Sequence, residues 1–219
     1  MRQRTNKTIT KPDQNGDGFV LYGPDKWLIK NCTVDFSEYP VSQLDECLST
    51  VNHAEADIQN STFRGSSKGV LLGNGDYPDT DPDTEVYMTN CTIENCGRRF
   101  PEAQDGVIVT LQNCTIRNWG IKDRFDVRCF GAWAHHNAKI YAIHCKFEQT
   151  SFFQTGFLNF FKDFFNHLGQ AINDRGIFGL TWKDFIPGVC RGLISTDSGF
   201  VRAVGCTKNK RWIYIENNS

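Results

Sequence analysis

The chain has 219 residues, a formal net charge of −1, 39% hydrophobic residues and 22% charged residues, which suits one globular domain with a sizeable core. The near-neutral charge excludes a bulk electrostatic attraction to nucleic acid or to an anionic membrane surface, and we predict no nucleic-acid partner and no membrane span. No apolar run reaches the roughly 18 residues that a membrane-spanning helix needs. Residues 1–6 lack the apolar stretch of a signal peptide.

An internal repeat is the strongest pattern in the chain. Six segments align with one another, at residues 27–34, 56–63, 86–93, 109–116, 140–147 and 201–208. Their shared column holds Cys32, Ser61, Cys91, Cys114, Cys145 and Cys206. The first five column residues lie 29, 30, 23 and 31 residues apart, which is typical of solenoid repeats. The last step of 61 residues leaves room for two coils, or for one coil and an insertion.

Each copy of the repeat contains two short strands with a bend between them. Before the bend, apolar residues alternate with others, as at Trp27 and Ile29. After the bend the alternation resumes at Cys32, shifted by one residue. A period of two cannot skip a residue, so the chain must turn at Asn31. Asparagine tolerates the left-handed conformation that such a turn needs. Two strands joined by an asparagine bend form one corner of a β-helix coil, which predicts an all-β fold.

The nine cysteines follow this repeat rather than a disulfide framework or a metal site, since the chain has no Cys-x-x-Cys pair. We predict that four of them stack as free thiols inside the core, where a small apolar side chain suits the tight corner: Cys32, Cys91, Cys114 and Cys145. Most Asn-x-Thr/Ser glycosylation sequons coincide with the bends, whereas the sequon at Asn6 is expected to lie outside the repeat.

Residues 152–172 break the strand pattern, because apolar residues recur there at helical spacing. Asn173 and Gly176 follow as stop signals. We predict an amphipathic helix that packs on the β-helix or caps its end. A face for protein assembly or for a membrane surface is the alternative.

His135 and His136 stand just before the fifth copy of the repeat. Two adjacent histidines could bind a metal ion, but no cysteine or carboxylate lies near them in the sequence at zinc-ligand spacing. A structural or surface role is therefore favoured for both histidines.

A second set of residues lies between the repeats, at similar intervals. Its members are Asn15 and Asp17 in an Asn-Gly-Asp turn, Asp45 and Ser49, Lys68 in KGVLLG, and Arg99 in RFPEAQDG. From residue 15 to about residue 150 the chain resembles pectate lyases, which carry two acidic pairs, a lysine before Leu-x-Gly and an Arg-x-Pro motif in this order. The resemblance implies a right-handed parallel β-helix that forms one domain over residues 1–219, with the 152–172 helix as an insertion or cap. It also implies secretion, although no signal peptide is present.

The resemblance further implies a calcium site. Eliminative cleavage of a polyuronate removes the C5 proton beside a carboxylate, and Ca²⁺ would neutralise that carboxylate. The ion prefers hard oxygen ligands, and the motif positions supply four candidates: Asn15, Asp17, Asp45 and Ser49. Of these, Asn15 and Ser49 stand where the family usually has carboxylates.

Lys68 and Arg99 are the catalytic residues that the resemblance implies, and with Gln104 they would bind the substrate. Lys68 would pair with a substrate carboxylate as a point charge. Arg99 would either take the C5 proton or stabilise the developing charge, because its pKa above about 12 opposes the loss of a proton. Gln104 stands where the family has a second arginine.

Two functions are compatible with these residues. The first is a calcium-dependent polysaccharide lyase that cleaves a polygalacturonate-like acidic polysaccharide by β-elimination. The second is a catalytically silent β-helix that binds glycans or forms part of a larger assembly such as a virus particle. The presence of Lys68 and Arg99 favours the lyase, whereas Gln104 and the two missing carboxylates favour the silent protein.

Overall fold

The computed structural model describes residues 1–40, 43–74, 84–97, 101–119, 130–149, 191–196 and 198–209. Twenty strands lie in these ranges, which contain no α-helix, and the strands pair in parallel into three sheets. Within the same ranges, no helix is long and apolar enough to cross a membrane. The predicted helix at 152–172 and the side chain of Arg99 lie outside the described residues.

The three sheets take one strand each from successive coils. Sheet A contains β1 (Arg2–Thr5), β4 (Lys26–Lys30), β7 (Glu55–Gln59), β10 (Glu85–Thr89), β13 (Ile108–Gln112), β16 (Lys139–Ile143) and β19 (Phe200–Val204). Sheet B contains β2 (Thr8–Ile9), β5 (Thr33–Asp35), β8 (Thr62–Arg64), β11 (Thr92–Glu94), β14 (Thr115–Arg117), β17 (Lys146–Glu148) and β20 (Thr207–Lys208). Sheet C contains β3 (Phe19–Tyr22), β6 (Glu46–Val51), β9 (Gly69–Asn74), β12 (Glu102–Ala103), β15 (Phe130–Ala134) and β18 (Arg191–Ser195).

This order of strands is a parallel β-helix, as the repeat predicted. Equivalent side chains of successive coils stack in columns inside it. One such column in sheet A is wholly buried and runs through Ile29, Ile58, Met88, Leu111 and Ala142. Because most coils add apolar side chains to these columns, one continuous core extends along the axis of the helix.

The bend between sheets A and B is left-handed in each coil, which confirms the asparagine turn. The φ angles are 53° at Asn31, 50° at Asn60 and 54° at Asn90. Side-chain amides link the bends, since Asn60 Nδ2 donates to Asn31 Oδ1 at 3.4 Å and Asn90 Nδ2 donates to Asn60 Oδ1 at 3.2 Å. The prediction that Asn6 lies outside the repeat is wrong. Its φ is 52° and it accepts from Asn31 Nδ2 at 3.2 Å, so Asn6 is the first bend of the ladder.

The cysteine column is also confirmed, and its thiols are free and buried. Each thiol donates to a backbone carbonyl of the preceding coil, from Cys91 to Ile58 at 3.4 Å and from Cys114 to Met88 at 3.2 Å. Ser61 takes the column position between Cys32 and Cys91, and its hydroxyl accepts from the backbone N–H of Cys32 at 3.1 Å. These hydrogen bonds satisfy polar groups that would otherwise be buried without partners.

A ladder of alternating charges runs along the outer face of sheet B. Its register places Asp35, Arg64, Glu94, Arg117 and Glu148 side by side on successive strands. Arg64 lies 2.6 Å from the Asp35 carboxylate and 3.6 Å from that of Glu94, and Arg117 also contacts Glu94. Opposite charges on neighbouring strands favour this register over a slipped one.

Thiol labelling under native conditions tests the cysteine column. We expect Cys32, Cys91, Cys114 and Cys145 to stay unmodified, because the core excludes the reagent. Cys206 is only partly buried and should react before these four thiols. Mass spectrometry of the labelled peptides gives the order of reaction. Rapid modification of all four column thiols before unfolding would rule out this packing.

Substitution of Asn60 separates the geometry of the bend from the amide ladder. Asn60→Gly removes the side-chain hydrogen bonds but keeps easy access to positive φ, whereas Asn60→Ala removes the bonds and adds backbone strain. We expect the alanine variant to be less stable than the glycine variant by about 1 kcal/mol. Denaturant unfolding measures both free energies. Equal losses would mean that the ladder, rather than the left-handed bend, makes asparagine favourable here.

Candidate carboxylate and lysine site

Charged side chains from three coils meet at the edge of sheet C where its strands begin. Asp17 precedes β3, Asp45 and Glu46 stand at the start of β6, and Lys68 precedes β9. Because these strands are parallel neighbours, residues just before each strand lie side by side. Ligand atoms of Asp17, Asp45 and Glu46 all lie within 4.8 Å of one another. We call these three residues and Lys68 the edge cluster.

A tight turn positions Asp17 in the edge cluster. The Asp13 carboxylate accepts the backbone N–H groups of Asn15 at 2.8 Å and of Asp17 at 2.9 Å. Gly16 has a φ of 91°, and a Cβ there would lie 2.8 Å from the backbone nitrogen of Asp45, so only glycine allows this close approach. Asp17 Oδ1 in turn accepts the N–H of Glu46 at 3.0 Å. The Asn-Gly-Asp turn thus fixes one carboxylate against the next coil.

Lys68 holds the other two carboxylates. Its Nζ lies 2.7 Å from Asp45 Oδ1 and 2.9 Å from Glu46 Oε1. Burial favours a lower pKa for Lys68, but the hydrogen bonds and charges of Asp45 and Glu46 outweigh it and raise that pKa. The backbone N–H of Lys68 also donates to the Asp45 carbonyl at 3.1 Å, which anchors the main chain here. Lys68 thus pairs with two acidic residues of the edge cluster, and its main chain is anchored there.

Glu46 is the most buried member of the edge cluster, with 5% of its surface exposed. Burial raises its pKa to about 8, and a hydrogen bond with Asp17 and the charge of Asp45 act in the same direction. The ammonium of Lys68 opposes them. The raised pKa accordingly favours the protonated form of Glu46 at neutral pH.

The structure brings together three of the predicted site residues: Asp17, Asp45 and Lys68. Asn15 lies in the same turn with an exposed side chain. Ser49 is buried within β6, three residues beyond Glu46, or about 10 Å along the strand. The metal-ligand roles of all four motif positions stay predictions.

Glu46 was missed by the sequence reasoning, which paired Asp45 with Ser49. The only available signal was a second acidic residue next to Asp45 at the start of an apolar strand. Gln104 follows β12, and its backbone N–H donates to the Leu72 carbonyl at 3.0 Å. Its side chain is half-buried.

A family model described as "Right handed beta helix region" matches residues 5–163. The chain belongs to this right-handed β-helix family. The match agrees with the three parallel sheets and gives the handedness of the coils. No curated protein and no solved structure matches the chain.

A buried contact between a histidine and a glutamate lies on the outer face of sheet C, farther along the axis of this β-helix. His135 Nε2 and Glu102 Oε1 are 2.9 Å apart, and both side chains are buried. The His135 ring stacks on Trp133 at 4.0 Å between centroids, and Trp133 Nε1 donates to Thr196 Oγ1 at 2.9 Å. This packing supports the structural role that the sequence favoured for His135, and Glu102 is its unforeseen partner.

The raised pKa of Glu46 predicts how stability changes with pH. In the unfolded chain Glu46 loses its proton near pH 4.5, whereas the folded protein keeps it up to about pH 8. The folded state therefore binds more protons between these values, and the contribution of Glu46 to the free energy of unfolding falls as pH rises through them. Above about pH 8 this contribution stays constant.

Urea unfolding of the parent and of Glu46→Gln between pH 5 and pH 8 measures this contribution. It is read from the difference between the free energies of unfolding of the two proteins at each pH. The glutamine keeps the shape of the side chain but cannot titrate. We expect the variant to gain stability relative to the parent as pH rises. Parallel pH profiles for the two proteins would show that Glu46 titrates normally.

Proposed function

We propose that this protein is a calcium-dependent polysaccharide lyase that cleaves a polygalacturonate-like chain by β-elimination. The observation that carries the proposal is the convergence of Asp17, Asp45 and Lys68 at one edge of sheet C. These residues come from motifs that lie far apart in the chain and in the order of the pectate lyase motifs. Glu46 adds a third carboxylate to the same place.

The donor set of the edge cluster suits a calcium ion. Carboxylate oxygens are the hard ligands that Ca²⁺ prefers, and a substrate carboxylate and water would complete its usual six to eight contacts. The contacts of the Lys68 ammonium with Asp45 and Glu46 support a cation site at these two residues. When bound, calcium would neutralise the uronate carboxylate and make the neighbouring C5 proton more acidic.

Lys68, Gln104 and Arg99 would bind the substrate and act on it according to the chemistry of their side chains. Lys68 would bind a uronate carboxylate as a point charge, and Gln104 would contact the substrate through its amide. Arg99 would take the C5 proton or stabilise the charge that develops as it leaves. The electron pair of the C5–H bond forms the C4=C5 double bond, the C4–O bond breaks, and the leaving oxygen takes a proton from water.

A catalytically silent β-helix that binds glycans or builds an assembly is the second candidate. The outer face of sheet C favours it, because side chains that lie outside the main core there are nevertheless buried. They form one column on successive strands: Ser49, Leu71, Glu102, Trp133 and Ile194. An open substrate groove would leave this face accessible beside the edge cluster. Assembly through the predicted helix at 152–172 stays part of this candidate.

Ultraviolet absorbance of unsaturated uronate products distinguishes the two candidates. We expect polygalacturonate to be cleaved with calcium and not with a chelator. Arg99→Ala should lower kcat by about 10² to 10³, because it removes a donor that acts in the transition state. Asp45→Ala should abolish the response to calcium. Asp25→Ala is the matched control, since Asp25 is an exposed carboxylate that pairs with Arg2 at 2.7 Å, away from the edge cluster.

Two outcomes would contradict the lyase. A parent protein that binds polygalacturonate without any rise in absorbance would favour the silent β-helix. A folded Arg99→Ala variant that cleaves at the parent rate would remove Arg99 from the mechanism. Binding is followed separately by calorimetry, so that loss of affinity is not mistaken for loss of catalysis.

A further inference from the structure

Lys68 has two roles in the edge cluster that its side chain cannot fill at once. Its ammonium lies within hydrogen-bond distance of Asp45 and Glu46, so it already occupies oxygen atoms of two of the three carboxyl groups. The proposed function asks the same ammonium to pair with a substrate carboxylate. It also asks the same carboxylates to bind a calcium ion.

A divalent cation and the ammonium exclude each other at this place. Both require the lone pairs of Asp45 and Glu46, and two cations a few ångströms apart repel strongly where the surroundings are partly buried. The Lys68 side chain is about one-third exposed, at 35%, and its four-carbon stem is flexible. Its backbone is held by the Asp45 carbonyl, so the side chain can move without displacing the coil.

We propose that Lys68 is a tethered counter-ion, which holds the carboxylates of the edge cluster together until a divalent cation displaces it towards the substrate carboxylate. The inference rests on the proposed function and deepens it, because it makes cation binding the event that frees Lys68 for the polyuronate. Binding of the cation and of the acidic sugar are then positively coupled, and the coupling is reciprocal. Without the cation, the anion would have to compete with Asp45 and Glu46 for the ammonium.

Titration of calcium chloride into three proteins tests the competition by calorimetry. Lys68→Met keeps a stem of similar length but removes the ammonium, and we expect it to bind calcium about tenfold more tightly than the parent. Lys26→Met is the matched control. Lys26 pairs with Glu55 at 2.6 Å on sheet A, so its removal changes the net charge equally outside the edge cluster. Its calcium affinity should equal that of the parent.

Amine labelling of the parent protein tests the release of Lys68 directly and does not depend on the folding of a variant. The extent of acetylation at Lys68, read from its peptide by mass spectrometry, should rise several-fold when calcium is added. A galacturonate trimer added with calcium should protect Lys68 again. Labelling at Lys26 should stay constant in all three conditions.

The outcomes separate this inference from the lyase itself. Equal calcium affinity in the parent and Lys68→Met, or labelling of Lys68 that calcium leaves unchanged, would overturn the tethered counter-ion even if the parent cleaves polygalacturonate. The expected affinity and labelling changes without any cleavage would support the release of Lys68 and overturn the lyase. Absence of calcium binding in both the parent and Lys68→Met would overturn both proposals.

Discussion

A left-handed residue at the bend between sheets A and B sets the register of this β-helix. Asparagine fills most of these positions, and Asn31, Asn60 and Asn90 each donate a side-chain amide to the bend of the coil before. Because the bend falls at the same point in every coil, residues at equivalent positions must stack. The apolar columns of the core, the thiol column and the charge ladder of sheet B all follow from this one constraint. A bend displaced by one residue would turn an entire strand inside out.

The edge cluster applies the same constraint to charged groups. Residues that lie just before three successive strands are brought together because the strands begin level with one another. Three carboxylates this close would repel one another, and the protein limits the repulsion with the ammonium of Lys68 and with a proton on Glu46. A divalent cation would replace both of these partners. The cluster thus has charge partners of its own and is composed of the oxygen groups that a divalent cation prefers.

The sequence alone predicted the features that recur from coil to coil, but it did not predict the features that are specific to one coil. The bend and thiol columns repeat, so their period is visible without coordinates. Glu46 was not predicted because a bulge in β6 puts both Cys47 and Leu48 in the core. A simple alternation along β6 therefore does not show which side chains face the core and which face outward. The bend at Asn6 was missed because the strand before it is polar. The pairing of Glu102 with His135 depends on the length of chain between their strands, which no local pattern records.

The alternating charges of sheet B constrain how such a chain can grow during evolution. Negative and positive side chains occupy successive coils, so the ladder has a period of two coils although the fold has a period of one. Duplication of a single coil within this stretch would place two like charges in contact. Duplication of two adjacent coils would restore the alternation at both junctions. Lengthening of this β-helix by pairs of coils is therefore electrostatically neutral, whereas lengthening by one coil requires a compensating change of charge.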